Sequence, residues 1–378
     1  MPYFINNFKE ENPANLHMKT KLSLNFNKWI SATCLFIFVI GCKTTSYNSA
    51  PSYGIEKGSE YFSIAVLPDT QYYTSMKNGG TMQMFSDQIQ WIRDNRKKEN
   101  IEYVIHLGDI TERNAPDEWQ RASSVLYKLD EDKIPYGLTV GNHDETPGNT
   151  ASKGDPNTPF TKYFGRSHFK DKPWYGGAMG TNENSDNHFD RFTANGDKYL
   201  VMYFVYNEPG NKFHDAGYEK EVMHWADSVL TNNADHKAIM VTHSMLNRVA
   251  GAETETRDGT DGNKVEPNFT KQGKVIYEMA KHHSNVFLML GGHIAGEGFR
   301  SDEYNGNVIK TYLADYQARQ SAPYGGQKDR NGGNGLMRLM KFNKTQQTLV
   351  TTTFAPRPNG TVIKEEDADS KFIKPLFK

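Results

Sequence analysis

Short apolar runs alternate along the chain with segments in which apolar residues recur at helical spacing. The run Tyr61–Leu67 is almost continuously apolar, as expected of a strand that is covered on both faces. Met82, Phe85 and Ile89 then follow at the spacing of one helix face. The same succession predicts further strands over 101–107, 134–140, 199–206, 237–242 and 286–290, with helices between several of them. This alternation predicts an α/β fold.

Two polar regions and a strand-rich end complete the pattern. Residues 145–190 are rich in Gly, Asn, Asp and Pro, which predicts a long irregular insertion, and 251–267 form a second polar loop. After the last helix, apolar runs at 308–314, 336–342 and 348–354 follow one another closely, which predicts strands without helices. We therefore expect one domain over 59–355, followed by a C-terminal tail over 356–378.

The N-terminal residues have the pattern of a targeting segment. Met18 is a plausible start, because lysines follow it and then the apolar run Trp29–Ile40, which is too short to span a bilayer but fits a signal peptide. The run ends in Gly41-Cys42, which resembles the bacterial lipobox, in which the cysteine is lipidated. An ordinary signal anchor and a chance apolar run are the alternatives.

These features predict a signal peptide over 1–41, lipidation at Cys42 and a polar tether over 42–58. The expected location is the bacterial cell envelope, with the protein anchored by lipid to the outer membrane or at the periplasmic face. The membrane is then a partner through the lipid anchor.

Composition narrows the possible chemistry. The chain has 44 basic and 45 acidic residues, so its charge gives no electrostatic basis for binding nucleic acid. Its two cysteines, Cys34 and Cys42, both lie in the N-terminal segment. A disulfide framework and a thiolate metal site are therefore excluded for the folded domain. Any metal ion there must be held by oxygen and imidazole nitrogen.

Residues that can bind a cation stand within three positions after the ends of five of the predicted strands. They are Asp69, Asp109, Asn142, His243 and His293. Each of them alone is explained as well by a helix cap, a turn or a structural histidine. Because ligands of α/β sheets bind beyond the carboxyl ends of the strands, their joint occurrence predicts a metal site.

The order Asp, Gly-Asp, Gly-Asn-His-Asp, His, Gly-His resembles the calcineurin-like metallophosphoesterase superfamily, over about 62–293 in motifs and to about 354 in fold. The resemblance implies a four-layer α/β/β/α sandwich, in which two mixed sheets pack face to face between helices. It also implies two metal ions. The ligands implied for one ion are Asp109, Asn142, His243 and His293. Those implied for the other are Asp69, Gln71 and the bridging Asp109.

The activity implied by this resemblance is hydrolysis of a phosphate mono- or diester by a metal-bound hydroxide. Two cations about 3.5–4 Å apart can clamp phosphate oxygens and lower the pKa of bound water toward about 7. His143 is the implied proton donor to the leaving oxygen, and Asp144 is expected to orient it. The expected substrate is a phosphorylated small molecule or glycan.

Two positions depart from the family pattern, and both belong to the same ion. Gln71 and Ala295 stand where the first and last motifs usually carry histidines. Gln71 can offer a carbonyl oxygen, which suits Mn, Mg or Ca better than Zn. The sequence therefore predicts one tightly held divalent ion, either Mn, Fe, Zn or Mg, and a weaker second site.

Two non-catalytic interpretations remain open from the sequence. One is a binding module that kept the fold and one metal ion. The other is an accessory lipoprotein of carbohydrate uptake, which would bind a glycan through Trp174 and Tyr175 of the insertion. The pair His143-Asp144 favours catalysis over both, because a binding protein has no need of a proton donor.

Overall fold

The structure is a computed structural model that describes residues 60–145, 153–247, 267–317, 332–366 and 368–376. These residues belong to one compact unit, Ser46–Lys378. The predicted signal peptide, the lipidation site Cys42, the tether and almost all of the 251–267 loop lie outside the described residues. Within the described ranges, no helix has the length and apolar character needed to cross a membrane.

Helices and strands alternate through the first two thirds of the described chain. The helices are α1 (Gln71–Ser75), α2 (Met82–Asn95), α3 (Pro116–Glu131), α4 (Pro159–Phe164), α5 (Arg166–Phe169), α6 (Ala216–Asn232) and α7 (Lys271–Ala280). The strands are β1 (Tyr61–Leu67), β2 (Ile101–His106), β3 (Tyr136–Leu138), β4 (Tyr175–Ala178), β5 (His188–Ala194), β6 (Asp197–Phe204), β7 (Lys237–Thr242), β8 (Val286–Gly291), β9 (Gly296–Tyr304), β10 (Asn307–Asp315), β11 (Met337–Asn343), β12 (Thr348–Pro356), β13 (Val362–Glu365) and β14 (Phe372–Pro375).

The strands form two mixed sheets of seven strands each. The first has the order β13-β12-β11-β1-β2-β3, with β14 also paired to β12, and the second has the order β4-β5-β6-β7-β8-β10-β9. Strands β1, β2 and β3 are parallel neighbours, as are β6, β7, β8 and β10. The carboxyl ends of each parallel group therefore meet at one edge of its sheet.

Aromatic side chains fill the space between the two sheets. Phe62 of β1 lies 4.9 Å from the ring of Phe342 in its own sheet and 6.1 Å from that of Phe192 in the other. Tyr103 of β2 stacks on the same Phe192 at 5.0 Å. Outside the first sheet, Trp91 of α2 packs on Phe354 of β12 at 4.6 Å. The predicted α/β fold of two mixed sheets with flanking helices is confirmed.

The insertion at 145–190 is more regular than predicted where it is described. It contains α4, α5, β4 and the first residues of β5. The hydrophobic pattern does not predict strand β5, because two of its buried residues, His188 and Asp190, are polar. Trp174 is also buried, and its indole nitrogen donates to the carbonyl oxygen of Tyr136 at 3.0 Å. Trp174 therefore offers no exposed ring face to a glycan.

The folded domain extends beyond the predicted boundary at residue 355. Strands β13 and β14 both pair with β12, so the prediction of a tail over 356–378 is wrong for these two strands. Strand β9 is a further unpredicted strand, which forms an antiparallel hairpin with β10. The sequence of β9 is largely polar, because it lies at the edge of the second sheet and is only partly buried.

Candidate metal centre

The predicted ligands lie at the carboxyl ends of parallel strands from both sheets. Asp69, Asp109 and Asn142 follow β1, β2 and β3 of the first sheet, whereas His243 and His293 follow β7 and β8 of the second. Gln71 is the first residue of α1. These positions place the candidate centre at the edge where the two parallel groups of strands end.

Three of these side chains form a compact cluster. One ligand atom from each of Asp109, His243 and His293 lies within 4.8 Å of the others. The Nε2 atom of His243 is 3.1 Å from Oδ2 of Asp109 and 3.9 Å from Oδ2 of Asp69. The structure thus brings together residues that are separated by up to 224 positions in sequence.

The backbone around the centre is unusual at several points. Asp109 and His293 have φ angles of +49° and +69°, in the left-handed region that residues other than glycine rarely adopt. Such conformations cost about 1–3 kcal/mol each and cluster at functional sites. A Cβ atom at Gly141 would lie 2.2 Å from Oδ1 of Asp109, and one at Gly292 would lie 2.3 Å from Oδ1 of Asp69. Only glycine lets these two loops approach the carboxylates so closely.

Buried polar atoms without hydrogen-bond partners show that the donor set fits a cation. Among the described residues of the centre they are Oδ1 of Asp69, Oε1 of Gln71 and Oδ1 of Asn142, while Nε2 of His243 lies 3.1 Å from Oδ2 of Asp109. Buried polar atoms are nearly always paired in folded proteins, so three orphaned oxygens on neighbouring loops require an explanation. Carboxylate and amide oxygens together with an imidazole nitrogen are suitable ligands for a divalent transition metal.

The charges at the centre also favour a cation. Burial alone would lower the pKa of His243, but the carboxylates of Asp109 and Asp69 raise it to about 10. Burial, and next the positive charge of His243, lower the pKa of His293 to about 4. A bound cation would therefore replace the proton that His243 holds beside the two carboxylates, whereas His293 is already neutral, as a metal ligand must be.

His143 lies at the open side of the centre, with 36% of its side chain exposed. Its Nδ1 atom donates to the backbone carbonyl of Glu112 at 2.7 Å, and its backbone N–H donates to Oδ1 of Asp109 at 3.0 Å. Burial lowers the pKa of the ring, but the negative charge of Asp109 and the contacts with Glu112 outweigh this, so the pKa is raised.

The expectation that Asp144 orients the ring of His143 is wrong. Asp144 is fully buried and accepts hydrogen bonds from the backbone N–H groups of Gly141, Ile110 and Thr111, at 3.0, 3.1 and 2.8 Å. These bonds hold the loop after β2 against the loop after β3. Asp144 thereby fixes the relative position of two ligand loops, and Glu112 is the residue that contacts the ring.

Two residues close to Asp69 have no assigned role in the sequence motifs. Gln317 donates from Nε2 to Oδ2 of Asp69 at 3.2 Å, and its backbone N–H donates to Oδ1 of Asp315 at 2.8 Å. Burial, followed by the negative charge of Asp315, raises the pKa of Asp69 well above its ordinary value. Asp315 is the last residue of β10, so it too stands at the carboxyl end of a parallel strand.

Residues 62–296 match the family model described as calcineurin-like phosphoesterase. This match covers more than half of the chain, and the chain belongs to the calcineurin-like phosphoesterase family. Family membership, together with the cluster of Asp109, His243 and His293, supports the use of a divalent metal ion at this centre.

Among curated proteins, the chain is 29% identical over 310 residues to YvnB of Bacillus subtilis (strain 168), which is described as uncharacterized. The match covers 80% of this chain and 20% of YvnB, so the chain spans about a fifth of the length of this relative.

Solved structures with a similar fold include GAP50, described as the anchor in the inner membrane complex of Plasmodium. It has a TM-score of 0.48 and 12% identity, with 84% of this chain and 89% of that chain covered. A dimetal phosphatase from Danio rerio has a TM-score of 0.46 and 13% identity, with 81% and 99% covered. Purple acid phosphatase PPD1 from yellow lupin (Lupinus luteus) has a TM-score of 0.46 and 14% identity, with 81% and 53% covered. Structural similarities with TM-scores and sequence identities this low do not assign a function to the chain.

Proposed function

We propose that this protein is a metal-dependent hydrolase of phosphate mono- or diesters. The observation that carries the proposal is the cluster of Asp109, His243 and His293, at the joint edge of two sheets in a chain of this family. Divalent ions bound there would neutralise phosphate oxygens and supply water of lowered pKa. Asn142 completes the ligand set that we propose for the first ion, and Asp69 and Gln71 contribute to that of the second.

We assign the proton donor to His143. Because its Nδ1 atom donates to the Glu112 carbonyl, Nε2 is the nitrogen that is left to protonate a leaving oxygen. The contact between its backbone N–H and Asp109 keeps the residue beside the proposed bridging carboxylate. Its partial exposure lets a substrate reach the ring from solvent.

The test is an activity screen of the full chain, purified in a mild detergent and stripped with a chelator. Mn²⁺, Fe²⁺, Zn²⁺ and Mg²⁺ are added back singly, with p-nitrophenyl phosphate as the monoester and bis(p-nitrophenyl) phosphate as the diester. The proposal expects metal-dependent turnover of at least one of them. Binding of metal without turnover of either ester would overturn it in favour of a non-catalytic metal-binding lipoprotein.

We also propose that the protein acts at the bacterial cell envelope, held there by lipid on Cys42. The support is the sequence Gly41-Cys42 after an apolar run of signal-peptide length. In this location the substrate would be a phosphorylated small molecule or glycan outside the cytoplasm.

A further inference from the structure

Ala295 stands where the family pattern has a histidine for the second ion, but a carboxylate of the neighbouring strand lies beside it. In the hairpin of β9 and β10, the residue directly opposite Gly296 is Asp315. Gly296 follows Ala295 immediately in the chain. Asp315 is therefore next to the position that lacks its imidazole, and it is only 2% exposed.

The surroundings of Asp69 bring further oxygen atoms to the same place. Within the part of the chain that the structure describes, Oδ1 of Asp69 and Oε1 of Gln71 are buried atoms without hydrogen-bond partners, and both residues are 2% exposed. Gln317 lies against both residues, with its Nε2 3.2 Å from Oδ2 of Asp69 and its Oε1 3.5 Å from Nε2 of Gln71. Two orphaned oxygens thus lie on side chains that Gln317 contacts, and the backbone N–H of Gln317 donates to the buried carboxylate of Asp315 at 2.8 Å.

We propose that Asp315 replaces the missing histidine as a ligand of the second ion, in a site built from oxygen atoms alone. Its other ligands are Asp69, Gln71 and the bridging Asp109. This inference rests on the metal centre of the proposed function, and it adds a ligand from a strand that carries none of the family motifs.

The chemistry of these ligands determines which ions each site prefers. The first site has two imidazoles, which suit transition metals, whereas the second has carboxylate and amide oxygens. Oxygen-only sites select hard ions such as Mg²⁺, Ca²⁺ and Mn²⁺. The two sites are therefore expected to hold different metals.

The test measures metal binding directly, so it does not depend on finding a substrate. The full chain is stripped with a chelator, loaded with one equivalent of Zn²⁺, and titrated with Mn²⁺ by calorimetry and by electron paramagnetic resonance. Wild type should bind one Mn²⁺ in addition to the Zn²⁺. Asp315→Asn, which keeps the shape of the side chain but removes its charge, should weaken Mn²⁺ binding at least tenfold and leave the Zn²⁺ content unchanged.

The matched control is Asp302→Asn, the same change on the same hairpin. Asp302 is opposite Ile309, six residues from Asp315 along β10, or about 20 Å at about 3.4 Å per residue. This variant should bind Mn²⁺ as wild type does. If Asp315→Asn bound Mn²⁺ as tightly as the control, or if wild type bound no Mn²⁺ beside Zn²⁺, the proposal would be overturned.

A second variant tests whether misfolding, instead of a lost ligand, explains a loss of Mn²⁺ binding. The double variant Asp315→Asn with Ala295→His removes the proposed carboxylate ligand. It also restores the histidine that the family pattern has at position 295. It should regain a second ion and bind Zn²⁺ there more tightly than wild type does. If these results held while neither ester was hydrolysed, the proposed activity would fail and the assignment of Asp315 would stand.

Discussion

His243, which follows β7, donates a hydrogen bond from Nδ1 to the backbone carbonyl of Leu107, which follows β2 of the other sheet, at 2.9 Å. A carbonyl can only accept, so Nδ1 carries a proton, and Nε2, which faces Asp109 at 3.1 Å, is the nitrogen left to bind a cation. Leu107 precedes Asp109 by two residues. This hydrogen bond therefore orients the imidazole of His243 against the loop after β2, which supplies the carboxylate of Asp109.

His243→Ala should remove the tightly held metal ion. Purified wild type should retain about one equivalent of metal after gel filtration, because metal affinity requires the complete set of deprotonated ligands. The variant should retain well below half of that, as measured by elemental analysis. His236→Ala, at a histidine that pairs with Asp235 instead, is the control. Two equivalents in untreated wild type would contradict the expectation that the second site is weaker.

Asp144→Ala should destabilise the fold through the loops that carry the ligands. The substitution leaves three buried backbone N–H groups without an acceptor, at about 1–3 kcal/mol each. Some relaxation is expected, so the free energy of unfolding in urea should fall by about 2–5 kcal/mol. His143→Ala should change it much less. Equal stability of the two variants would show that Asp144 does not hold the loops together.

His143→Ala should retain the metal ion and slow the reaction. A general acid contributes about 10²–10⁴-fold to the rate, and esters with poor leaving groups depend on it most. The loss should therefore be large for an alkyl phosphate and small for p-nitrophenyl phosphate. Elemental analysis of the same preparation checks that the metal is still bound. An equal loss for both leaving groups would indicate a structural role for the ring.

Cys42→Ser should release the protein from the membrane fraction. Lipidation supplies buried methylene groups that hold a protein at a bilayer, and stable anchoring needs more than one acyl chain. Fractionation of cells that express wild type or the variant, followed by immunoblotting, measures the distribution. Cys34→Ser is the control, since this cysteine lies within the predicted signal peptide. An unprocessed wild-type protein in the cytoplasm would contradict the prediction.

The features that were predictable from sequence are local ones. Buried parallel strands are continuous apolar runs, and a ligand directly after such a run lies at the edge of the sheet, as Asp69 and His243 do. The family motifs add the order of these positions. The class of fold and the predicted ligands follow from these two signals.

The missed features depend on contacts between distant parts of the chain. The role of Asp315 depends on its register against Gly296, and β9, which contains Gly296, is too polar to be predicted as a strand. Glu112 contacts His143 largely through its backbone carbonyl, which no side-chain pattern indicates. The partners of Asp144 are also backbone N–H groups. Hydrophobic periodicity contains no information on any of these contacts.

The most direct test of the central claim compares the phosphatase rates of wild type, Asp109→Asn and Asp302→Asn at saturating metal. Substitution of a residue that only supports a metal ligand typically lowers metal affinity or activity by about 10–100-fold. Loss of the proposed bridging carboxylate should therefore lower the phosphatase rate by at least about 10²-fold. We expect Asp302→Asn to match wild type, and we expect chelated wild type to lose its activity as Asp109→Asn does. Undiminished hydrolysis by Asp109→Asn, or by thoroughly chelated wild type, would contradict the assignment of this protein as a metal-dependent phosphoesterase.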